Sequence, residues 1–142
     1  MDIRPLTPTY AVSPQIDPSD LAEIKAAGFR AVIDNRPDGE IPDYLHTEEM
    51  RIAAEAAGLE FIVNPIIGGM MTMQNVEVQA AALQAANGPV LAYCASGNRS
   101  SIVWALAHAG QVPTDDLIAI PARFGYQLEG LRDQLDAMAQ KD

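Results

Sequence analysis

The chain has 142 residues, 49% of them hydrophobic and 20% charged, enough for one domain with its own core and no need of disulfide or metal staples. That composition excludes a disordered tail, a collagen-like repeat and a disulfide scaffold. Nineteen acidic residues against nine basic ones leave a net charge of −10, which repels phosphate backbones and anionic lipid and sets nucleic acid and membrane surfaces aside as partners. No stretch resembles a signal peptide or a bilayer span. A lone cysteine cannot form an intrachain disulfide, so the cytoplasm is the expected compartment.

Short β-type runs alternate with helical patterns along a single domain, 1–142, without repeats or a dividing linker. Tyr10–Ser13 is a strand. Asp17-Pro18-Ser19-Asp20 reads as an N-cap, a proline at the first helical position and acids in the first turn, opening a helix with Leu21, Ile24 and Ala27 on one face and Gly28 at its end. Phe29–Asp34 is the next strand, followed by the polar loop Asn35–Glu40. Thr47 caps a second helix that runs through Ala57 to Gly58.

Leu59–Val63 is a third strand, leading into Asn64-Pro65 and the pair Gly68-Gly69. Asn75–Ala86 is helical, with Asn87-Gly88 closing it. Pro89–Cys94 is an apolar run between turn signals, as expected of a strand covered on both faces. An apolar helix follows over Ser100–Ala109, stopped by Gly110. Pro113–Tyr126, interrupted by Pro121, and Gln127–Gln140 supply two more helical segments. This order predicts an α/β sandwich with a mainly parallel central sheet flanked by helices. Ligands of such sheets bind beyond the carboxyl ends of the strands, where Cys94 lies.

The loop Cys94-Ala95-Ser96-Gly97-Asn98-Arg99-Ser100 joins a buried strand to a helix N-terminus. The first N–H groups of a helix have no intrahelical partner and carry partial positive charge, which stabilises a thiolate placed against them. Gly97 allows successive amides of Ala95, Ser96, Gly97 and Asn98 to point inward as an anion-binding nest. Arg99 adds a planar cationic fork for an oxyanion, and Ser100 can donate its hydroxyl to the sulfur. Together these are what a nucleophilic cysteine enzyme needs. The bland alternative is a packing cysteine beside a surface arginine and a capping serine.

Spacing bears on the chemistry. Protein tyrosine phosphatases and their dual-specificity relatives separate cysteine and arginine by five residues, usually with histidine before the cysteine. Here four intervene, Ala95 to Asn98, and Tyr93 precedes. The smaller ring of amides suits a terminal sulfur, as in rhodanese-type sulfurtransferases, better than a tetrahedral phosphate.

Several runs occur in order: Leu6-Thr7-Pro8, Val12-Ser13-Pro14-Gln15, Ala27-Gly28-Phe29-Arg30, Asn35-Arg36-Pro37-Asp38-Gly39-Glu40, Ala56-Ala57-Gly58-Leu59 and Gly88-Pro89-Val90-Leu91-Ala92-Tyr93-Cys94. Through them the chain, from about Ile3 to Ala109, resembles the bacterial family of the β-lactamase hydrolase-like protein, phosphatase-like domain. The resemblance implies a dual-specificity-phosphatase-like α/β fold, with Cys94 as nucleophile and Arg99 as its anion-binding partner. Some members are fused to a metallo-β-lactamase-type persulfide dioxygenase and are associated with sulfide detoxification and sulfur transfer, so a separate dioxygenase is an implied partner. Family loops often read Cys-Arg-Ser-Gly-Thr-Arg-Ser, whereas Ala95 and Asn98 stand at the first and fourth variable positions here.

A phosphatase also needs an acid to protonate its leaving oxygen. In dual-specificity enzymes that aspartate follows the strand equivalent to Leu59–Val63, yet Asn64–Met73 contains no acid. Asp38, with Arg36, is the nearest alternative as acid or pocket residue; equally, Pro37-Asp38-Gly39 is a plain tight turn. His46, expected exposed, and His108, in the apolar helix, have no partners at metal-ligand spacing. No metal, nucleotide or other cofactor is called for. Trp104, Ile102, Val103 and Leu106 read as core, and Gly69-Met70-Met71-Thr72-Met73 as an adaptable pocket rim.

The leading expectation is therefore a sulfurtransferase that forms a Cys94 persulfide from a small sulfane sulfur donor and passes the sulfur to an external thiol-type acceptor. A phosphatase acting through a phosphocysteine is the alternative. A non-catalytic persulfide or anion sensor is a third.

Overall fold

The structure, a computed structural model, describes residues 1–140; the last two residues of the expected domain lie outside them. Five strands form one sheet: β1 (Arg4–Thr7), β2 (Tyr10–Ser13), β3 (Ala31–Asp34), β4 (Glu60–Val63) and β5 (Val90–Tyr93), in the order β1-β2-β5-β3-β4. The pairs β2–β5, β5–β3 and β3–β4 are parallel, and β1 joins the edge antiparallel. Sequence reading missed β1, whose Pro5 and single buried residue Leu6 leave no alternating apolar pattern. At an edge strand Pro5 costs no ladder hydrogen bond on the open side.

The helices are α1 (Leu21–Ala26), α2 (Thr47–Ala56), α3 (Met73–Ala85), α4 (Asn98–Ala107), α5 (Thr114–Ala122) and α6 (Arg132–Ala139). Asp17 caps as expected, closing a reciprocal capping box with Asp20 around a 3₁₀ turn that leads into α1. Thr47 is the first residue of α2 and not its cap; the Asp38 carboxylate accepts its N–H at 2.8 Å instead. Thr72 caps α3, which starts at Met73, two residues before the expected Asn75, through a capping box with Asn75. Pro121 sits in the last turn of α5, so the helix ends only one residue beyond it.

Residues of the sheet alternate between two cores. Tyr10, Val12, Ile33, Val90 and Ala92 pack with Val76, Val103, Trp104, Leu117 and Leu135 from α3 to α6. Ala11, Val32, Leu91 and Tyr93 pack with Leu21, Ile24, Met50 and Ala54 from α1 and α2. β5, buried at every position, is the central strand, and it delivers Cys94 to the carboxyl edge of the sheet. Among the described residues no helix is long and apolar enough to cross a membrane.

Candidate active site

Cys94 leaves the sheet with its N–H on the Ser13 carbonyl of β2 at 3.4 Å. The chain then curls through Gly97, the N-cap of α4, at φ +96°, a left-handed conformation that costs a side chain dearly. This curl turns the Gly97 N–H onto Cys94 Sγ at 3.1 Å and the Asn98 N–H onto Ser96 Oγ at 3.2 Å. The helical ladder begins only at Ser101, whose N–H reaches Gly97 O at 3.0 Å. The amides of Arg99 and Ser100 therefore have no intrahelical acceptor and present the positive end of α4. Cys94 itself is fully buried, so its sulfur meets a substrate only when the loop moves off it.

Arg99 is held from two sides. Its Nη1 and Nη2 donate to the two carboxylate oxygens of Glu40, each at 2.8 Å, and Nη1 also donates to the Ile66 carbonyl at 2.7 Å. Three of the five guanidinium N–H groups are thereby used. The remaining two, on Nε and Nη2, lie along one edge and form the bidentate fork that fits an oxyanion. The Glu40 contact raises the Arg99 pKa first, burial opposes it, and the negative charge that Cys94 can carry raises it further. Conversely, Arg99 and then Arg36 hold the Glu40 carboxyl below its usual range.

The other sequence candidates divide. Arg36 does not reach Arg99; its Nε donates to Glu40 at 3.2 Å and its Nη1 to Gln15 at 3.2 Å, so it steadies the carboxylate. Asp38 sits at the start of α2, where its Oδ1 accepts the Thr47 N–H at 2.8 Å, while the Thr47 hydroxyl lies between Asp34 Oδ2 at 2.9 Å and Asp38 Oδ1 at 3.0 Å. Asp38 is not among the residues that line the cavity beside Arg99. Ser100 Oγ donates to Asn35 Oδ1 at 2.8 Å, so its single hydroxyl proton does not go to the sulfur as expected. His108 Nδ1 lies 2.8 Å from the Trp104 carbonyl, and His46, half-buried and not exposed, has Nε2 3.0 Å from the Ile41 carbonyl.

Sequence reading missed two features of this site. Tyr126, beyond α5, donates its hydroxyl to Ser96 O at 2.7 Å and accepts from Arg4 Nη1 at 2.7 Å, pinning the loop from above. A buried amide network lies below. Asn35 Nδ2 donates to Asn64 O and Gln79 Oε1, each at 3.0 Å, and Gln79 Nε2 donates to Tyr10 Oη at 3.0 Å. Tyr10 Oη in turn donates to Ser100 O at 2.8 Å. Burial raises the Tyr10 pKa above all other causes, so its phenol stays a donor. The sequence does not single out Gln79, because α3 also carries Gln74, Asn75, Glu77 and Gln84 and only packing buries Gln79.

A cavity of about 490 Å³ opens beside Arg99, between the loop after β4, α4 and α6. Gly69 and Met71 of the expected rim line it, while Met70 and Met73 are exposed outside it.

The model of one protein family, the β-lactamase hydrolase-like protein, phosphatase-like domain, matches residues 2–127, farther than the motifs alone reach. A β-lactamase hydrolase-like protein of Xylella fastidiosa (strain Temecula1) is 29% identical over 130 residues, which are 90% of this chain and 30% of that protein. The chain thus spans less than a third of that relative's length. Among solved structures, a candidate phosphatase of Neisseria meningitidis Z2491 is 31% identical with a TM-score of 0.81, over 97% of this chain and 99% of that one. The core catalytic domain of the PP-IP phosphatase SIW14 of Saccharomyces cerevisiae is 12% identical with a TM-score of 0.64, over 94% and 85%. The fold is that of the protein-tyrosine-phosphatase-like proteins.

Proposed function

The chain belongs to the family of the β-lactamase hydrolase-like protein, phosphatase-like domain, and from that premise we propose that it is a cysteine-dependent phosphatase, with Cys94 as nucleophile and Arg99 as the anion-binding side chain. This ranks phosphate-ester hydrolysis ahead of the sulfur transfer that loop spacing suggested, because the relative alike in both sequence and fold is itself described as a candidate phosphatase. The observation that carries the reading is the free Nε–Nη2 edge of Arg99, left over once Glu40 and Ile66 have taken the other donors. A tetrahedral oxyanion seated there would also meet the orphan amides of Arg99 and Ser100.

In the first step the Cys94 thiolate attacks phosphorus, an S–P bond forms and the ester P–O bond breaks. The Gly97 N–H, now on the sulfur, becomes available to a phosphoryl oxygen as the loop opens. Glu40 is the one carboxylate lining the cavity among the described residues, and Arg99 keeps it ionised, so the leaving oxygen takes its proton from water. Water then attacks phosphorus, the S–P bond breaks, and inorganic phosphate and the thiolate are released. Without a carboxylic acid to assist, leaving groups that are stable as anions are favoured. A reducing cytoplasm, which keeps the lone thiol active, fits this reading.

The test is hydrolysis of p-nitrophenyl phosphate by the reduced protein beside Cys94→Ser and Arg99→Lys. Turnover that vanishes in Cys94→Ser and is inhibited by vanadate supports the reading. Turnover no greater than that of Cys94→Ser overturns it.

Sulfur transfer stays as the second reading on one observation, the four-residue spacing in a site that lacks a leaving-group acid. Cys94 thiolate would attack the outer sulfur of thiosulfate, releasing sulfite and leaving a persulfide; an external thiolate then attacks the outer sulfur of that persulfide, forming its own persulfide as the S–S bond to Cys94 breaks and the Cys94 thiolate is restored. Gain of one sulfur atom on Cys94 by intact mass after thiosulfate, reversed by glutathione, supports it; an unmodified yet alkylatable Cys94 excludes it.

A further inference from the structure

We propose that the cavity beside Arg99 selects substrates that carry a single tetrahedral anionic head on an uncharged, apolar body, and discriminates against polyanions. The inference rests on the anion-site reading above and extends it from reaction to substrate class.

The cavity has two chemically distinct ends. Ser96, Asn98 and Arg99 of the cysteine loop form the polar end, with Glu40 at its edge. Away from them the walls are mainly apolar, with Ile66, Ile67 and Met71 from the loop after β4, Ile102 and Leu106 from α4 and Leu131 beside α6, and Gln134 of α6 as the one polar side chain on that side. A volume of about 490 Å³ exceeds what one oxyanion needs and falls in the range of small-molecule sites. The apolar portion is thus room for the part of a substrate that does not react.

Charge argues in the same direction. Arg99 is the one cation among the residues lining the cavity, and Glu40 already neutralises much of it. Arg36 and Arg132, which adjoin the lining residues Glu40 and Leu131, are committed elsewhere: Arg36 to Glu40 and Gln15, and Arg132 to Glu129 and Asp115. A second phosphate on the substrate would meet Glu40, apolar side chains and the field of a chain with net charge −10, with the neutral amide of Gln134 on α6 and no second cation to replace its hydration. An aliphatic or aromatic body would displace water from Ile67, itself 55% exposed, and from Met71, whose thioether adapts to varied shapes.

The experiment is calorimetric binding to the intact Cys94→Ser protein, which separates recognition from turnover. The probes are methylphosphonate, (1-naphthylmethyl)phosphonate and tripolyphosphate. The naphthylmethyl compound is expected to bind at least about tenfold more tightly than methylphosphonate, as burial of its ring surface implies, and tripolyphosphate no more tightly than methylphosphonate. Ile67→Ser, at an exposed position where folding is not at stake, should cut the naphthyl preference severalfold. Equal affinity for the two phosphonates, or tighter binding of tripolyphosphate, overturns the inference while leaving the anion site intact. Failure of all three anions to bind defeats the anion-site reading, and this inference with it.

Discussion

Glu40 and Arg99, 59 residues apart, meet in a two-pronged ion pair whose two contacts are both 2.8 Å. The pair fixes the plane of the guanidinium, and with the Ile66 carbonyl it leaves one N–H edge unspent. An arginine left free on the surface would have to be ordered by the substrate at an entropic cost. Here Glu40 and Ile66 have ordered it beforehand, and Arg36 orders Glu40.

Glu40→Gln is expected to lower kcat/KM for an aryl phosphate by about 10- to 100-fold, since it loosens the fork without removing it. Arg99→Lys, which lacks the fork, should cost at least as much. Because the two residues act as one unit, the double variant should be little worse than Arg99→Lys alone. Steady-state kinetics of the four proteins checks this, and additive losses would separate the two roles.

The same pair predicts an acid-limb effect on stability. Arg99 holds the Glu40 carboxyl below its unfolded value, so the folded state favours the ionised form. The contribution is fully present above the unfolded glutamate range of about 4.3 and is lost as pH falls through the lowered folded value. The stability gap between the parent protein and Glu40→Gln in urea titrations should therefore be constant from pH 7 to about 5 and close as pH falls below the unfolded glutamate range. A gap that widens in acid would contradict the pairing.

Gly97→Ala should destabilise the protein by about 2–4 kcal/mol, for two separable reasons. The backbone is at φ +96°, and a Cβ there would overlap Tyr126 Oη and sit 3.0 Å from its Cζ. Adding Tyr126→Phe to Gly97→Ala should recover part of the loss by removing the overlapping oxygen, while the backbone strain remains. Thermal melts of the two single variants and the double variant measure the split.

Tyr126→Phe alone releases the Ser96 carbonyl from its 2.7 Å hydrogen bond. It is expected to cost about 1 kcal/mol of stability and to speed alkylation of the buried Cys94 by iodoacetamide several-fold, as the loop opens more often. An unchanged alkylation rate would show that Tyr126 does not hold the loop shut.

Asn35→Leu should destabilise by about 2–4 kcal/mol despite its similar size, because Ser100 Oγ and the Asn64 carbonyl would be left buried without their partner. Denaturant unfolding of this variant measures how much the network beneath the loop contributes.

What was legible from the sequence is what neighbouring residues decide among themselves. The N-cap at Asp17, the apolar run that became β5 and the glycine that curls the cysteine loop all act within a few residues, so their signatures are local. The cysteine, the arginine and the helix N-terminus between them were placed together for the same reason. Tertiary structure decided the partners. Glu40 read as one acid in a turn, Tyr126 as the end of a helical segment and Arg4 as part of an unremarked terminus; only the packing of β1, α4 and α5 around the sheet brings them to the loop. The same packing turned Ser100 toward Asn35 and gave Asp38 to α2, because a buried hydroxyl and an orphan helix N–H each take the nearest acceptor that folding supplies. Composition and short-range pattern thus determined which chemistry the chain carries, and long-range contacts determined which side chains hold it in place.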